Sequence, residues 1–147
     1  MNQDKFEIID DWSVSVGRDP NPPIIIRLRS KLDSSKGKKF FPHMMRMSWS
    51  FGNSDRGGMP SKAESDELSD FEERLIESFE SDLQSVLAIA ITKSGLREWY
   101  FYTNDIDEFM NRLSSVPHNN QNPIEIYFNN DENWKYYEDT RARSLSQ

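Results

Sequence analysis

Apolar and polar residues alternate over several short stretches of this chain, and over two longer stretches the apolar ones recur every three or four positions. Trp12, Val14 and Val16 alternate with Asp11, Ser13 and Ser15, a period of two that predicts a strand. Residues 17–23 (GRDPNPP) are a turn cluster, and residues 24–29 read as a second strand, so the two form a hairpin. Residues 31–39 (KLDSSKGKK) read as a basic polar loop. Met45, Met47, Trp49 and Phe51 alternate with Arg46, Ser48 and Ser50, a third strand that the segment 52–60 breaks. Residues 1–11 are polar and are expected to be mobile.

Ser61-Lys62-Ala63-Glu64 fits a capping box, in which the Ser hydroxyl takes an orphan N–H and Glu64 reaches back to the Ser61 amide. Leu68, Phe71, Leu75 and Phe79 follow at helical spacing. Residues 86–92 are a continuous apolar strand, the pattern of a strand covered on both faces. Lys93-Ser94-Gly95 is a short hairpin turn into the aromatic strand 97–103 (REWYFYT). Asn104 can cap a second helix bearing Ile106, Phe109, Met110 and Leu113. Residues 117–123 read as a loop, and Ile124, Ile126 and Phe128 as a last strand. Residues 131–137 (DENWKYY) read as a short capped helical turn, with a frayed polar tail after it.

This order predicts an α+β domain: a ferredoxin-like (split βαβ) antiparallel sheet with two helices on one face, preceded by an N-terminal β-hairpin. Strands 45–51 and 97–103 would be central. A length of 147 residues fits one domain spanning 1–147, with an ordered core over about 11–138. Leu, Ile, Val and Phe make up only about a fifth of the chain. The aromatics offset this: nine Phe, five Tyr and four Trp bury much area per residue.

Charge is unevenly placed within a net −7. Arg27, Arg29, Lys31, Lys36, Lys38, Lys39 and Arg46 are interrupted by one acid, Asp33. Between positions 61 and 82, Glu64, Asp66, Glu67, Asp70, Glu72, Glu73, Glu77, Glu80 and Asp82 meet only Lys62 and Arg74. If Leu68, Phe71, Leu75 and Phe79 face the core, Asp66, Asp70, Glu73, Glu77 and Glu80 lie opposite. Like charges at i, i+4 cost a few tenths of a kcal/mol per pair, about 0.2–0.5. The stripe is then either a solvated face or a docking surface for a basic partner, steered by its field. The same field repels nucleic acid and argues against direct RNA or DNA binding.

No P-loop, dinucleotide-binding, nucleophile-elbow or HExxH motif occurs. The chain has no Cys, which excludes disulfides, thiolate metal sites and Cys nucleophiles, and its two His, His43 and His118, lack ligand spacing. No cofactor and no metal are expected. No apolar run is long enough to span a membrane, and the start MNQDKFEIIDDW does not read as a secretory signal, so a cytoplasmic protein is expected. Glu98, between Arg97 and Trp99, is the one acid placed to sit in a cleft or in a strand salt bridge. Tyr100 and Tyr102 share a strand face, and with Tyr127 they could form an open aromatic platform, anchor a protein interface or simply pack under the N-terminal hairpin.

Gly58-Met59-Pro60 with Glu64, then 92–102 (TKSGLREWYFY), then 131–137 (DENWKYY), together with Asp11-Trp12, resemble the bacterial domain of unknown function 695 family over roughly residues 11–137. That family is itself similar to the ribonuclease E activity regulator B family, whose members are acidic and non-catalytic. The resemblance implies a ferredoxin-like fold and supplies no catalytic residues; the basic segment 31–39 departs from it. The expected function is a non-enzymatic acidic protein that neutralises a basic protein partner, as an immunity protein or inhibitor of a toxin such as a nuclease does. Asp66, Asp70, Glu73, Glu77, Glu80, Tyr100, Tyr102 and Tyr127 are the expected partner-binding residues. The alternatives are a housekeeping inhibitor of an RNA-processing enzyme, and an enzyme using carboxylates and Tyr.

Overall fold

The computed structural model describes residues 5–17, 23–51, 58–117 and 124–145. The expected turn clusters at 18–22, 52–57 and 118–123 lie outside the described residues. Among the described residues ten elements follow in the order β1 (Trp12–Val16), β2 (Ile24–Arg29), α1 (Ser34–Phe40), β3 (His43–Ser50), α2 (Lys62–Glu80), β4 (Ser85–Lys93), β5 (Leu96–Thr103), α3 (Ile106–Ser115), β6 (Ile124–Asn129) and α4 (Lys135–Leu145). The strands form one sheet in the order β1-β2-β4-β5-β3-β6, with every neighbouring pair antiparallel. β3 and β4 therefore run the same way with β5 between them. The hairpin β1–β2 extends the β4 edge.

Period-two alternation sends side chains to two faces, and each face is covered. Met45, Met47, Trp49, Leu87, Ala90, Trp99 and Phe101 meet Leu68, Phe71, Leu75 and Phe79 of α2 and Phe109 and Leu113 of α3. Phe79 and Phe109 stack at 4.4 Å, which joins the two helices. On the opposite face Leu28, Met44, Val86, Ile89, Tyr100 and Tyr102 are covered by Phe6, Leu32, Phe41, Trp134 and Tyr137. In β4 a register shift between Leu87 and Ile89 leaves Ala88 as an extra residue. Such a bulge lets a continuous apolar strand serve both covered faces.

The second cover corrects three expectations. Residues 31–39 are not a loop throughout: Asp33 caps α1 by accepting the Lys36 N–H at 3.2 Å. Residues 131–137 do not end in a single turn, because α4 continues to Leu145. The segment before Asp11 is anchored by Phe6, which sits edge-on to Phe41 at 5.0 Å and also meets Trp134. A smaller correction concerns α3, whose N-cap is Asp105 and not Asn104; its carboxylate accepts the Glu108 N–H at 3.1 Å. The capping box of α2 forms as read, with Ser61 and Glu64 bonded reciprocally.

Trp134 joins the pieces of this second layer. Its indole stacks on Tyr102 at 4.0 Å and its Nε1 donates to the Phe41 carbonyl at 2.8 Å. It also lies against Gly37 of α1 so closely that a Cβ at Gly37 would overlap the six-membered ring. Helix propensity alone favours alanine there by about 1 kcal/mol. Overpacking works in the opposite direction and costs about 1–3 kcal/mol. Gly37→Ala is therefore expected to lower the unfolding free energy, measured by urea denaturation followed through Trp fluorescence; an increase would show that α1 does not seat on Trp134.

Candidate interaction surface

The nine acids between positions 61 and 82 separate into groups with different roles. Glu64 belongs to the cap of α2. Glu72 and Glu80 turn toward the sheet. Glu72 is ion-paired with Arg27 of β2, and its Oε1 also accepts the Trp99 Nε1–H at 2.8 Å. Glu80 Oε2 accepts Arg29 Nη1 at 2.6 Å and the Leu87 N–H at 2.8 Å. The Arg29 and Glu80 side chains are only 3% and 9% exposed, so the two buried charges compensate each other, with Asp10 a second acid 3.5 Å from Arg29. Arg27 and Arg29 also lie over the Trp12 ring at 5.1 and 5.0 Å. Arg97, on the same face, donates Nε to Thr92 Oγ1 at 2.7 Å. Burial, and then the neighbouring Arg27 charge, push its guanidinium down to about 10, while Glu72 acts the other way.

Glu80 was expected on the outer stripe, and the structure places it inside, on the flank of α2 that meets the hairpin. Its neighbours along the chain are polar or core residues, and only the position of Arg29 one strand away shows which way it turns.

The outer face of α2 carries Asp66, Asp70, Glu73 and Glu77, all exposed and spaced four, three and four residues apart. Lys62 Nζ lies 3.4 Å from Asp66. Among the described residues no base pairs with Asp70, Glu73 or Glu77. α2 has no basic residue in its last turn, so its C-terminal carboxylates also oppose the helix dipole. α3 extends the acidic surface with exposed Asp105 and Asp107. Between the two helices, Arg112 binds Asp82 at 2.7 Å and Glu108 at 2.8 Å. That hydrogen-bonded pair holds the Asp82 carboxyl below its ordinary value. The basic run between Arg27 and Arg46 does not form one surface: Arg27 and Arg29 point at α2, and Arg46 points to the other face.

The three tyrosines do not form an open platform. Tyr102 is fully buried; its hydroxyl donates to Asp131 Oδ2 at 2.7 Å. Tyr100 is buried, stacks on Tyr136 at 4.7 Å and donates to Glu98 Oε1 at 3.0 Å. The cover comes from the segment around Trp134, far along the chain, which strand alternation does not reveal. Tyr127 alone is exposed, with its hydroxyl donating to Glu125 at 2.9 Å and the Arg46 guanidinium 4.3 Å above its ring. Glu98 is buried and 3.7 Å from Arg46, so its ion-pair partner is Arg46 and not the adjacent Arg97.

Residues 131–137 act as a lock. Asp131 accepts the Lys135 and Tyr136 N–H groups at 3.0 Å each as well as the Tyr102 hydroxyl. The Tyr137 hydroxyl donates to the Arg29 carbonyl at 2.5 Å and accepts the Leu32 N–H at 3.1 Å. Gly58, at φ 84°, accepts the Gly95 N–H at 2.9 Å, and a Cβ there would lie 2.7 Å from Ser94 Cα. Among the described residues no helix is long and apolar enough to cross a membrane. In comparisons with known proteins, a model described as a family of unknown function, DUF695, matches residues 10–140. No curated protein and no solved structure matches the chain.

Burial raises the phenols of Tyr100, Tyr102 and Tyr137 above the ordinary value of 10.0; Tyr136 adds to the shift at Tyr100 and Asp131 to that at Tyr102. The folded chain thus keeps protons that the unfolded chain loses. The stability linked to them is fully present below pH 10 and lost as pH rises beyond it. The unfolding free energy is expected to be level to about pH 9 and then fall by up to about 1.4 kcal/mol per pH unit for each phenol, measured by urea titrations between about pH 8 and 11. A level profile throughout would contradict this burial.

Proposed function

The chain belongs to the DUF695 family of unknown function, and from that premise we propose that it is a non-enzymatic, acidic binding protein that neutralises a protein partner. The partner is basic, and the best fit is a toxin of the nuclease type, whose phosphate-binding surface would meet the outer face of α2. The observation that carries this reading is the row Asp66, Asp70, Glu73 and Glu77, exposed along a helix whose stability it lowers. A solvated face needs only scattered charge of both signs; a row of one sign concentrates potential and speeds encounter with a cation. The inward pairing of Glu72 and Glu80 adds support, since it occupies Arg27 and Arg29 and leaves Asp70, Glu73 and Glu77 without a pairing base among the described residues. The cysteine-free composition suits a cytoplasmic site of action. We read the order β6-β3-β5-β4, with α2 and α3 on one face, as the ferredoxin-like (split βαβ) arrangement extended by the hairpin β1–β2.

Capture on the tagged protein from an extract of its own cells, followed by mass identification, distinguishes a toxin from a housekeeping RNA-processing enzyme as the partner. The decisive readout is the association rate of that partner with the wild type and with the triple variant Asp70→Lys, Glu73→Lys, Glu77→Lys. Steering predicts a rate at least about tenfold lower for the variant at low salt, and a shallower salt dependence. Equal rates for both proteins would remove the outer face of α2 from the function.

A further inference from the structure

Among the described residues strand β1 is an edge, and its outward backbone groups belong to Trp12, Val14 and Val16, of which the two valines have exposed side chains. The Gly17 N–H donates to Ile24 O at 2.5 Å and the Ser30 N–H to Asp11 O at 3.0 Å. Hydrogen-bonded pairs alternate along an antiparallel ladder. The odd-numbered residues of β1 therefore bond to β2, and the N–H and C=O groups of Trp12, Val14 and Val16 point out of the sheet. Among the described residues no strand lies beyond β1. The side chains of Val14 and Val16 are 62% and 55% exposed. Edge strands are ordinarily guarded by Lys, Pro, an inward charge or a bulge. The sequence WSVSV carries none of these, whereas the opposite edge β6 carries Glu125.

We propose that β1 is a self-pairing edge whose occupant is the β1 strand of a second copy of this chain, antiparallel about a two-fold axis at Val14. Three features select a second copy. First, the strand is its own complement: read in either direction it is apolar–Ser–apolar–Ser–apolar. A two-fold at Val14 sets Val14 against Val14 of the second copy, Trp12 against its Val16, and Ser13 against its Ser15, as an isologous contact requires. Second, the even-numbered residues that meet at this axis are those whose amides point away from β2 and have no partner among the described residues, so Val14 and its mate exchange both hydrogen bonds. Third, the charges permit only the antiparallel sense. Asp10 and Asp11 mark one end of the strand, and parallel pairing would set them beside their copies. Antiparallel pairing offsets the two Asp11 residues by six positions, about 20 Å, which is well beyond the roughly 8 Å screening length of physiological salt. The result is a continuous twelve-stranded sheet with the α2 face of both copies on the same side.

The seam is short, so the dimer is weak, with Kd on the order of 10–100 µM. Its salt response is opposite in sign to that of the acidic docking face. Two copies of net −7 repel, and salt screens that repulsion while leaving the apolar seam intact. The test is sedimentation of the full chain from about 10 µM to about 1 mM, at low and high salt, with amide hydrogen exchange measured at the same concentrations. The proposal expects dimer that grows with concentration and with salt, and slowed exchange at Trp12, Val14 and Val16. Val14→Lys sets two cations against each other at the axis and should weaken dimerisation at least about tenfold, while Val14→Thr preserves it. Val14 is exposed, so neither change threatens folding, which circular dichroism checks. A monomer at about 1 mM, or a dimer that Val14→Lys leaves intact, would overturn the proposal without bearing on the acidic face.

Discussion

The rotational setting of α2 is the constraint on which the rest depends. Aromatic and leucine side chains hold one side of the helix to the sheet, but a rim of apolar contacts tolerates some rolling. Two inward carboxylates remove that freedom. Glu72 is held between Arg27 and Trp99, and Glu80 between Arg29 and the Leu87 amide. Both are tied to β2, and Glu72 also to β5 and Glu80 also to β4, so a roll of the helix would unpair a buried charge. The same bonds attach the N-terminal hairpin to the helical layer. They also decide which acids remain outside: Asp66, Asp70, Glu73 and Glu77 face water because Glu72 and Glu80 cannot.

The opposite face of the sheet is organised by aromatics. Tyr102, Asp131, Trp134, Tyr137 and Gly37 form one chain of contacts linking β5, α1 and α4. Most of the residues that carry the family resemblance lie in β5 with the β4–β5 turn or in the segment 131–137, which contribute Tyr102, Asp131, Trp134 and Tyr137 to this chain. They explain why the fold forms. They leave the outer face of α2 free to differ in its purpose, and so the family match says little about what is bound.

Much of this was legible in the sequence where a period was strong. The six strands follow from alternation, from a continuous apolar run or from aromatic content, the capping box from its residue types, and the two helices over the core from three-and-four spacing. α1 is not legible because Gly37 is the only buried position of its sequence SSKGKKF, and a glycine carries no hydropathy signal. α4 was read too short because its buried contacts, Tyr137 and Thr140, are followed by charged residues with weak periodicity. Tyr100 and Tyr102 read as candidate partner-binding residues because nothing near them in sequence announces the cover that Trp134 and Tyr136 provide. Glu80 was assigned outward by helical phase alone; a flank position takes its direction from its partner, and Arg29 lies 51 residues away.

The most direct measurement is a structure of the protein bound to the partner it captures. The account predicts Lys or Arg side chains of that partner within about 4 Å of the carboxylates of Asp70, Glu73 and Glu77. A complex whose contacts lie wholly elsewhere, with those carboxylates still facing solvent, would contradict it.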